Sequence, residues 1–323
     1  MKGRVHSIKK SEKELLRELL KDSRASLLSL ASNLGKGRNW VARTIRKLVK
    51  RGIMRAYLTI LNPSKVYAER NSILLIKSNP RELSLSRALL NMQELESLDG
   101  ISGEYSLLAL FRFRKSQSFN EFLDKIDKVV AATEAQKYDL VQVLATYKTH
   151  GFLVKSDDRP EYILSDVDWF LLSTIRRWKA TGEEPMSPSQ RRIGEEMEKE
   201  ISQPAVSKAM RRLAMRNVIL GHSIDIDFKF VDLPIKFFLK IKPKPGRVAK
   251  TAEYVSLFDK VWDLHRVGGD YSLFATVRTK DIEGYNKFLR ALYRNSDIVD
   301  TESQMALEEW SIPIFKETKT MTQ

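Results

Sequence analysis

Apolar residues recur at helical spacing near the start of the chain. In Glu12–Leu20 they are Leu15, Leu16, Leu19 and Leu20. Two more helical runs follow, Ser26–Leu34 stopped by Gly35 and Arg38–Arg51 stopped by Gly52. The period then changes. Ala56–Leu61 and Ser72–Lys77 read as strands, Leu83–Leu95 as a helix and Tyr105–Phe113 as a strand. Phe119–Val130 reads as an amphipathic helix and Asp139–Thr149 as a closing strand. A similar succession returns further on. Helical runs are expected near 166–178, 189–198 and 203–215, followed by strands Ser223–Phe228 and Ile235–Ile241. Helix Thr251–Phe258, strands Val261–Arg266 and Tyr271–Arg278, helix Ile282–Leu292 and strand Ile298–Trp310 complete the pattern.

Short segments match across the two halves. Gly103-Glu-Tyr-Ser-Leu-Leu-Ala-Leu-Phe-Arg is similar to Gly269-Asp-Tyr-Ser-Leu-Phe-Ala-Thr-Val-Arg, and Arg51-Gly-Ile-Met-Arg aligns with Arg216-Asn-Val-Ile-Leu. One nearly constant offset, close to half the length, implies an internal duplication. The polar, proline-bearing Lys155-Ser-Asp-Asp-Arg-Pro-Glu is its expected joint. Three helices followed by β-α-β-β-α-β predict an α+β chain, a winged or helix-turn-helix head joined to a ferredoxin-like sheet domain, twice over. The expected domains are 1–56 and 156–221 for the heads and 57–155 and 222–315 for the sheets. Tyr105–Phe113 is nearly continuous in apolar residues, and Phe237-Phe-Leu-Lys-Ile shares that bias. Such strands need cover on both faces, so the two sheets are expected to pack together.

Four stretches give this order a familiar look: Gly52-Ile-Met-Arg-Ala-Tyr-Leu-Thr-Ile-Leu-Asn-Pro63 after the third helix, Gly103-Glu-Tyr-Ser, Gly269-Asp-Tyr-Ser, and Leu164-Ser-Asp-Val-Asp-Trp-Phe-Leu-Leu as an opening helix. Together they resemble the Lrp/AsnC family of transcription regulators over nearly the whole chain. The resemblance implies DNA-binding heads, RAM-type ferredoxin-like effector domains, and homo-oligomers assembled through the sheets. It also implies an amino-acid-like small-molecule effector near Gly103, Glu104, Tyr105, Gly269, Asp270 and Tyr271. Glycine lets backbone N–H groups approach a carboxylate, and an acid pairs with an ammonium. The chain departs from the family where an acidic residue commonly follows the tyrosine, carrying Ser106 and Ser272 instead.

Charge sharpens the partner. The net is +15, and residues 1–56 hold 16 Lys/Arg against 4 Asp/Glu. A surplus concentrated in one head points to a polyanion, here double-stranded DNA, rather than to a generally basic surface. A DNA-reading helix packs one face on its domain and presents basic and amide groups on the other. In the first head Val41, Ile45 and Leu48 form the apolar stripe, leaving Arg38, Asn39, Arg43, Arg46, Lys47, Lys50 and Arg51 outside it. In the second, Val206, Met210 and Leu213 form the stripe, with Ser202 as N-cap and Gln203, Ser207, Lys208, Arg211 and Arg212 as the reading surface. Arg38 aligns with Gln203 and Arg43 with Lys208, so the heads differ where bases are read and an asymmetric site is expected. Residues 189–200 end acidic and oppose a phosphate backbone, so a protein-facing role for the second head is an alternative.

The remaining chemistry is sparse. No cysteine is present, which excludes disulfides and thiolate sites. No apolar run approaches the ~18 residues of a membrane span, and the basic start MKGRVHSIKK lacks the apolar stretch of a signal peptide. A cytoplasmic, nucleoid-associated protein with no membrane partner is expected. His6, His150, His222 and His265 have no metal-ligand spacing and read as surface or packing residues, like Met186, Met197, Met210 and Met215 in the heads. No catalytic residue, cofactor or metal is expected, and no enzyme. Two alternatives are a nucleic-acid-anchored adaptor of the transcription machinery, or chromatin-like protein, and a siroheme-decarboxylase-like enzyme, for which His265-Arg266 is the sole candidate pair.

Overall fold

A computed structural model describes residues 8–67, 71–79, 83–113, 116–155, 162–183 and 186–310. Its fold is mixed α+β. The chain begins with α1 (Lys10–Lys21), α2 (Leu27–Leu34), α3 (Arg38–Lys50) and β1 (Met54–Leu61). It continues through α4 (Pro63–Val66), β2 (Ser72–Lys77), α5 (Ser84–Leu90), β3 (Leu95–Ile101), β4 (Leu107–Phe111), α6 (Ser116–Ala131), β5 (Lys137–Thr149) and β6 (Phe152–Leu153). Next come α7 (Asp166–Arg176), β7 (Arg177–Lys179), α8 (Gln190–Glu196), α9 (Gln203–Met215), β8 (Ile219–Ile226) and a 3-10 turn at Phe228–Val231. The last elements are β9 (Ile235–Pro243), α10 (Val248–Ser256), β10 (Val261–Val267), β11 (Leu273–Thr279), α11 (Ile282–Leu292) and β12 (Ile298–Glu309).

These elements gather into two compact units, each drawing on both halves of the sequence: Met1–Leu61 with Asp157–Pro234, and Asn62–Ser156 with Ile235–Gln323. In the helical unit, β1 lies between β7 and β8 in an antiparallel ribbon. α1 packs on β8 and α7 on β1, so each three-helix group leans on the strand that follows the other. Leu15, Leu16, Leu19, Val41, Ile45 and Leu48 meet Ile224, Ile226 and Val231 in one core. Each fully buried leucine or isoleucine there contributes about 1.5–3 kcal/mol. Polar ties run the same way. Arg17 Nη2 donates to Asp232 Oδ2 at 2.8 Å, and Ser223 Oγ donates to the Leu20 carbonyl at 2.8 Å.

The sheet unit is a single antiparallel run, β10-β11-β9-β12-β3-β4-β2-β5-β6, that also pairs β10 with β5. Eight of its strands therefore form a closed ring. The expected packing of two sheets becomes edge-to-edge hydrogen bonding at two seams, β3–β12 and β5–β10, around a shared interior. Alternate strand residues explain the continuous apolar runs. Leu74, Ile76, Ala109 and Phe111 pack with helix residues such as Leu85, Leu89, Phe122 and Ile126. Ile73, Leu75 and Leu108 instead meet Phe238, Val267 and Phe274 in the interior. The seams bury charge as well. Lys236 Nζ reaches Asp99 Oδ1 at 2.7 Å, and Arg278 pairs with Glu309. Burial raises Asp99 above the usual carboxylate range. Against burial, Lys236 and the Arg278 bond bring Glu309 down to about 2. At the other seam, burial lowers His265 to about 4, with Thr146 Oγ1 3.0 Å from its Nδ1.

Several boundaries differ from the sequence reading. The helix expected over Leu83–Leu95 stops at Leu90, and Leu95–Ile101 forms β3, claimed on its two edges by β4 and β12. β4 starts at Leu107 rather than Tyr105, because Ile101 N–H closes a turn onto the Ser106 carbonyl at 2.9 Å. β8 runs Ile219–Ile226, not 223–228, in register with β1. Met215, expected to pack, is 67% exposed, whereas Met197 and Met210 are buried.

Candidate nucleic-acid interface

The first three-helix group carries its basic residues on α3. α2 ends at Gly35, whose φ of +60° puts it in the left-handed region, and Gly37 caps α3 two residues later. Val41, Ile45 and Leu48 are fully buried, as the stripe requires. Arg38, Asn39, Arg43, Arg46 and Lys50 are exposed, so the outer face is cationic from first turn to last. Lys47 differs in kind. Its Nζ donates to Glu12 Oε1 at 2.7 Å, and Glu12, almost fully buried on α1, also accepts the Lys9 N–H at 2.8 Å. Burial works to raise the Glu12 carboxyl, yet Lys47 and the Lys9 N–H hold it below its usual range. Lys47 thus fastens α3 to α1. Arg51 is half-buried at the C-cap of α3.

The second group uses the same device with different residues. Ser165 caps α7, and Asp168, 0% exposed, accepts from Ser165 N–H, Ser165 Oγ and Tyr162 Oη. Arg212 Nη2 on α9 donates to its second oxygen at 2.6 Å. Burial opposes ionisation, but these donors hold Asp168 below its usual range. Arg212, expected on the reading surface, therefore spends its guanidinium inside the helical group. Gln203, Lys208 and Arg211 are exposed, Arg211 Nη2 donating to Ser207 Oγ at 3.1 Å. Ser202 occupies the N-cap with extended backbone, without a side-chain cap bond, and proline follows in the first turn. Gln203, Ser207, Lys208 and Arg211 border a cleft with Gln190, Pro204 and Met215. α8 ends at Glu196, so the acidic Glu198–Glu200 stretch lies beyond the helix.

The two carboxylate clamps were not legible in the sequence. Partners 35 and 44 positions apart leave no trace in periodicity. Only the Ser165-x-x-Asp168 capping pattern hinted at one of them.

The two Gly-acidic-Tyr turns sit in the sheet unit. Gly103 (φ 108°) and Gly269 (φ 97°) adopt backbone that favours glycine. Glu104 pairs with Lys137, which also lies 5.1 Å over the Tyr105 ring, and Tyr105 Oη donates to Asp139. Tyr271 Oη donates to Asp300 at 2.6 Å, and that bond raises the phenol to about 12. Asp270 is exposed. Ser106 Oγ donates to the Ile76 carbonyl at 3.2 Å and accepts the Ser78 N–H at 2.9 Å, bracing the first turn.

Of the histidines, His6 lies outside the described residues. His222 is lowered to about 4 by burial, its Nδ1 3.2 Å from Thr59 Oγ1, and His150 takes a positive φ of 50°. Among the described residues no group of three or more acidic or histidine side chains could hold a metal ion. No described helix is long and apolar enough to cross a membrane.

Residues 236–312, in the sheet unit, match the family model of the Lrp/AsnC ligand binding domain. The chain is 28% identical over 149 residues to a Pyrococcus furiosus protein named as an uncharacterized HTH-type transcriptional regulator, covering 45% of this chain and 96% of that protein. It is 30% identical over 99 residues to an HTH-type transcriptional regulator of Methanocaldococcus jannaschii, 31% of this chain and 66% of the other. Among solved structures it is similar to the siroheme decarboxylase NirDL, with a TM-score of 0.60 over 93% of this chain and 91% of that one. Sequence identity there is 14%, so the likeness is one of fold.

Proposed function

We propose that this chain is a sequence-specific, double-stranded-DNA-binding transcription regulator of Lrp/AsnC type, its plan duplicated in tandem to give two unlike helix-turn-helix heads. The observation that carries this reading is α3. Its apolar stripe is fully buried while Arg38, Asn39, Arg43, Arg46 and Lys50 stand exposed along the other face. The three-residue, glycine-bearing turn before it suits a helix-turn-helix. One regulator-length alignment spans less than half of the chain, as a duplicated plan requires.

In this reading the heads of 1–56 and 156–221 extend through the strands that follow them to Leu61 and Pro234, and the remainder of 57–155 and 222–315 supplies the RAM-type domains. Arg38, Asn39 and Arg43 read bases, while Arg46, Lys50 and Arg51 hold phosphates. Gln203, Ser207, Lys208 and Arg211 form the second reading surface. An amino-acid-like effector meets the turns at Gly103–Tyr105 and Gly269–Tyr271, and the sheets offer a surface for homo-oligomers. The protein acts in the cytoplasm, on the nucleoid.

Binding of labelled duplex at 50 and 200 mM salt tests this. If some six to ten phosphates are contacted, affinity falls roughly 10³- to 10⁵-fold between the two. Arg43→Ala with Arg46→Ala should flatten that dependence. Binding that ignores salt, or a double variant indistinguishable from the parent, contradicts the reading.

The fold likeness to a siroheme decarboxylase favours one second reading, an enzyme acting on a tetrapyrrole. Its candidate His265 is 3% exposed and engaged with Thr146, which leaves little to offer a substrate. An unchanged siroheme spectrum on titration with the protein would dismiss it.

A further inference from the structure

The two three-helix groups differ most in one connection. α1 and α2 are joined by residues 22–26, whereas α7 and α8 are joined by residues 177–189. The longer segment does not stay with its own helices. Its first residues form β7 on the edge of β1, with Trp178 opposite Tyr57 and Lys179 opposite Ala56. The Ala180 N–H then donates to the Arg55 carbonyl at 3.0 Å. Trp178, Ala180 and Met186 pack against the core built by α1, α2 and α3. Gly182 lies against the end of α3, where a Cβ would stand 3.5 Å from Val49 Cγ1 and 3.8 Å from the Arg46 carbonyl.

Both ends are tied. Arg177 pairs with Asp225 of β8, which also binds Arg55 at 2.7 Å. Arg192 of α8 lies 5.7 Å over the Trp178 ring. The segment thus reaches from α7 to the last turn of α3, and α8 packs against α9.

We infer that residues 177–183, together with Met186, are a strap by which the second head grips the first, fixing α3 and α9 in one mutual orientation. Trp178 is its anchor, a large, half-buried ring packed from one head against the core of the other. The consequence rests on the regulator reading. One inserted base pair advances a half-site by about 3.4 Å and turns it by roughly 35°. A rigid pair of reading helices accepts one spacing, and a loosened pair accepts several. The strap is therefore a specificity determinant that touches no base.

The geometry can be tested without DNA. The chain has no cysteine, so Leu28→Cys on α2 and Glu196→Cys on α8 accept spin labels at exposed positions. Dipolar spectroscopy should give one narrow distance for the parent and a broadened distribution for Trp178→Ala. Ala180→Pro removes the Ala180 N–H donor and keeps Trp178, so it carries the test should Trp178→Ala fail to fold. An equally narrow distance in Ala180→Pro overturns the strap. Selection from a duplex library then reads the consequence. The parent should enrich one spacing of two half-motifs, and Ala180→Pro at least two. One spacing in both overturns the specificity role. A parent that enriches no motif overturns the regulator reading instead, with the spin-label distances still judging the strap.

Discussion

Two neighbouring arginines on α9 separate scaffold from the proposed reading surface. Arg212 neutralises a carboxylate with no access to solvent, whereas Arg211 is exposed beside Ser207. Arg212→Ala should lower unfolding stability by about 1–3 kcal/mol, because it strands a buried acceptor. Arg211→Ala should stay within about 0.5 kcal/mol of the parent yet weaken DNA binding and reduce the salt slope by about one. Denaturant melts beside DNA titrations check both. Equal stability losses, or no DNA effect at Arg211, would contradict the assignment. Both arginines fall outside the apolar stripe, so periodicity treats them alike. The difference lies in Asp168, a partner brought in by the packing of α7 on α9.

The buried His265 and the half-buried His222 make a second residue-scale prediction. His222 and His265 titrate near 6.5 when solvated and at about 4 in the fold, chiefly because burial disfavours the cation. As pH falls below about 6.5 the unfolded chain takes up protons first, so stability declines between about 6.5 and 4, by roughly 3 kcal/mol per ring. Glu309, at about 2 in the fold against 4.5, adds its own loss only below about 4.5. His265→Gln should therefore flatten the slope of stability between pH 6.5 and 4.5. A slope unchanged in that variant would contradict the account.

At the scale of elements, the α8–α9 turn depends on a missing side chain. A Cβ on Gly194 would stand 2.2 Å from the Ile201 carbonyl oxygen and 3.3 Å from Val206 Cγ2. Glycine to alanine inside a helix ordinarily stabilises by about 1 kcal/mol. Gly194→Ala should instead destabilise by about 1–3 kcal/mol, since α8 and α9 must move apart. Calorimetry reads the sign directly, and a raised melting temperature would contradict this packing. Most elements were legible because their apolar periods are strong: α1, α3, α6, α11, β2 and β11 fall where leucine and isoleucine spacing put them. β3 and β7 were not. Leu95-Glu-Ser-Leu-Asp-Gly-Ile has no clean alternation, and Arg177-Trp-Lys continues a helical run. Each becomes a strand because a distant edge claims it, β12 for β3 and β1 for β7.

At the scale of the whole molecule, the sequence predicts a linear order of head, sheet, head, sheet, whereas contacts group residues 1–61 with 157–234 and residues 62–156 with 235–323. The crossing is invisible to pattern because β1 and β8 each read as an ordinary strand, and only pairing reveals that each serves the other's helices. Charge, by contrast, was legible from counts alone, with the surplus concentrated in residues 1–56. In the proposed regulator that asymmetry gives the first head most of the electrostatic affinity and leaves the second to contribute chiefly to selectivity.

The central claim is therefore a two-headed, asymmetric reading of duplex DNA. Purified protein should be bound to sheared genomic duplex fragments at ~150 mM salt, near physiological ionic strength, and the recovered fragments sequenced. The account expects sharp peaks sharing one motif whose two halves differ, at a fixed spacing. Diffuse recovery without a motif, or a palindrome read identically by both heads, would contradict it.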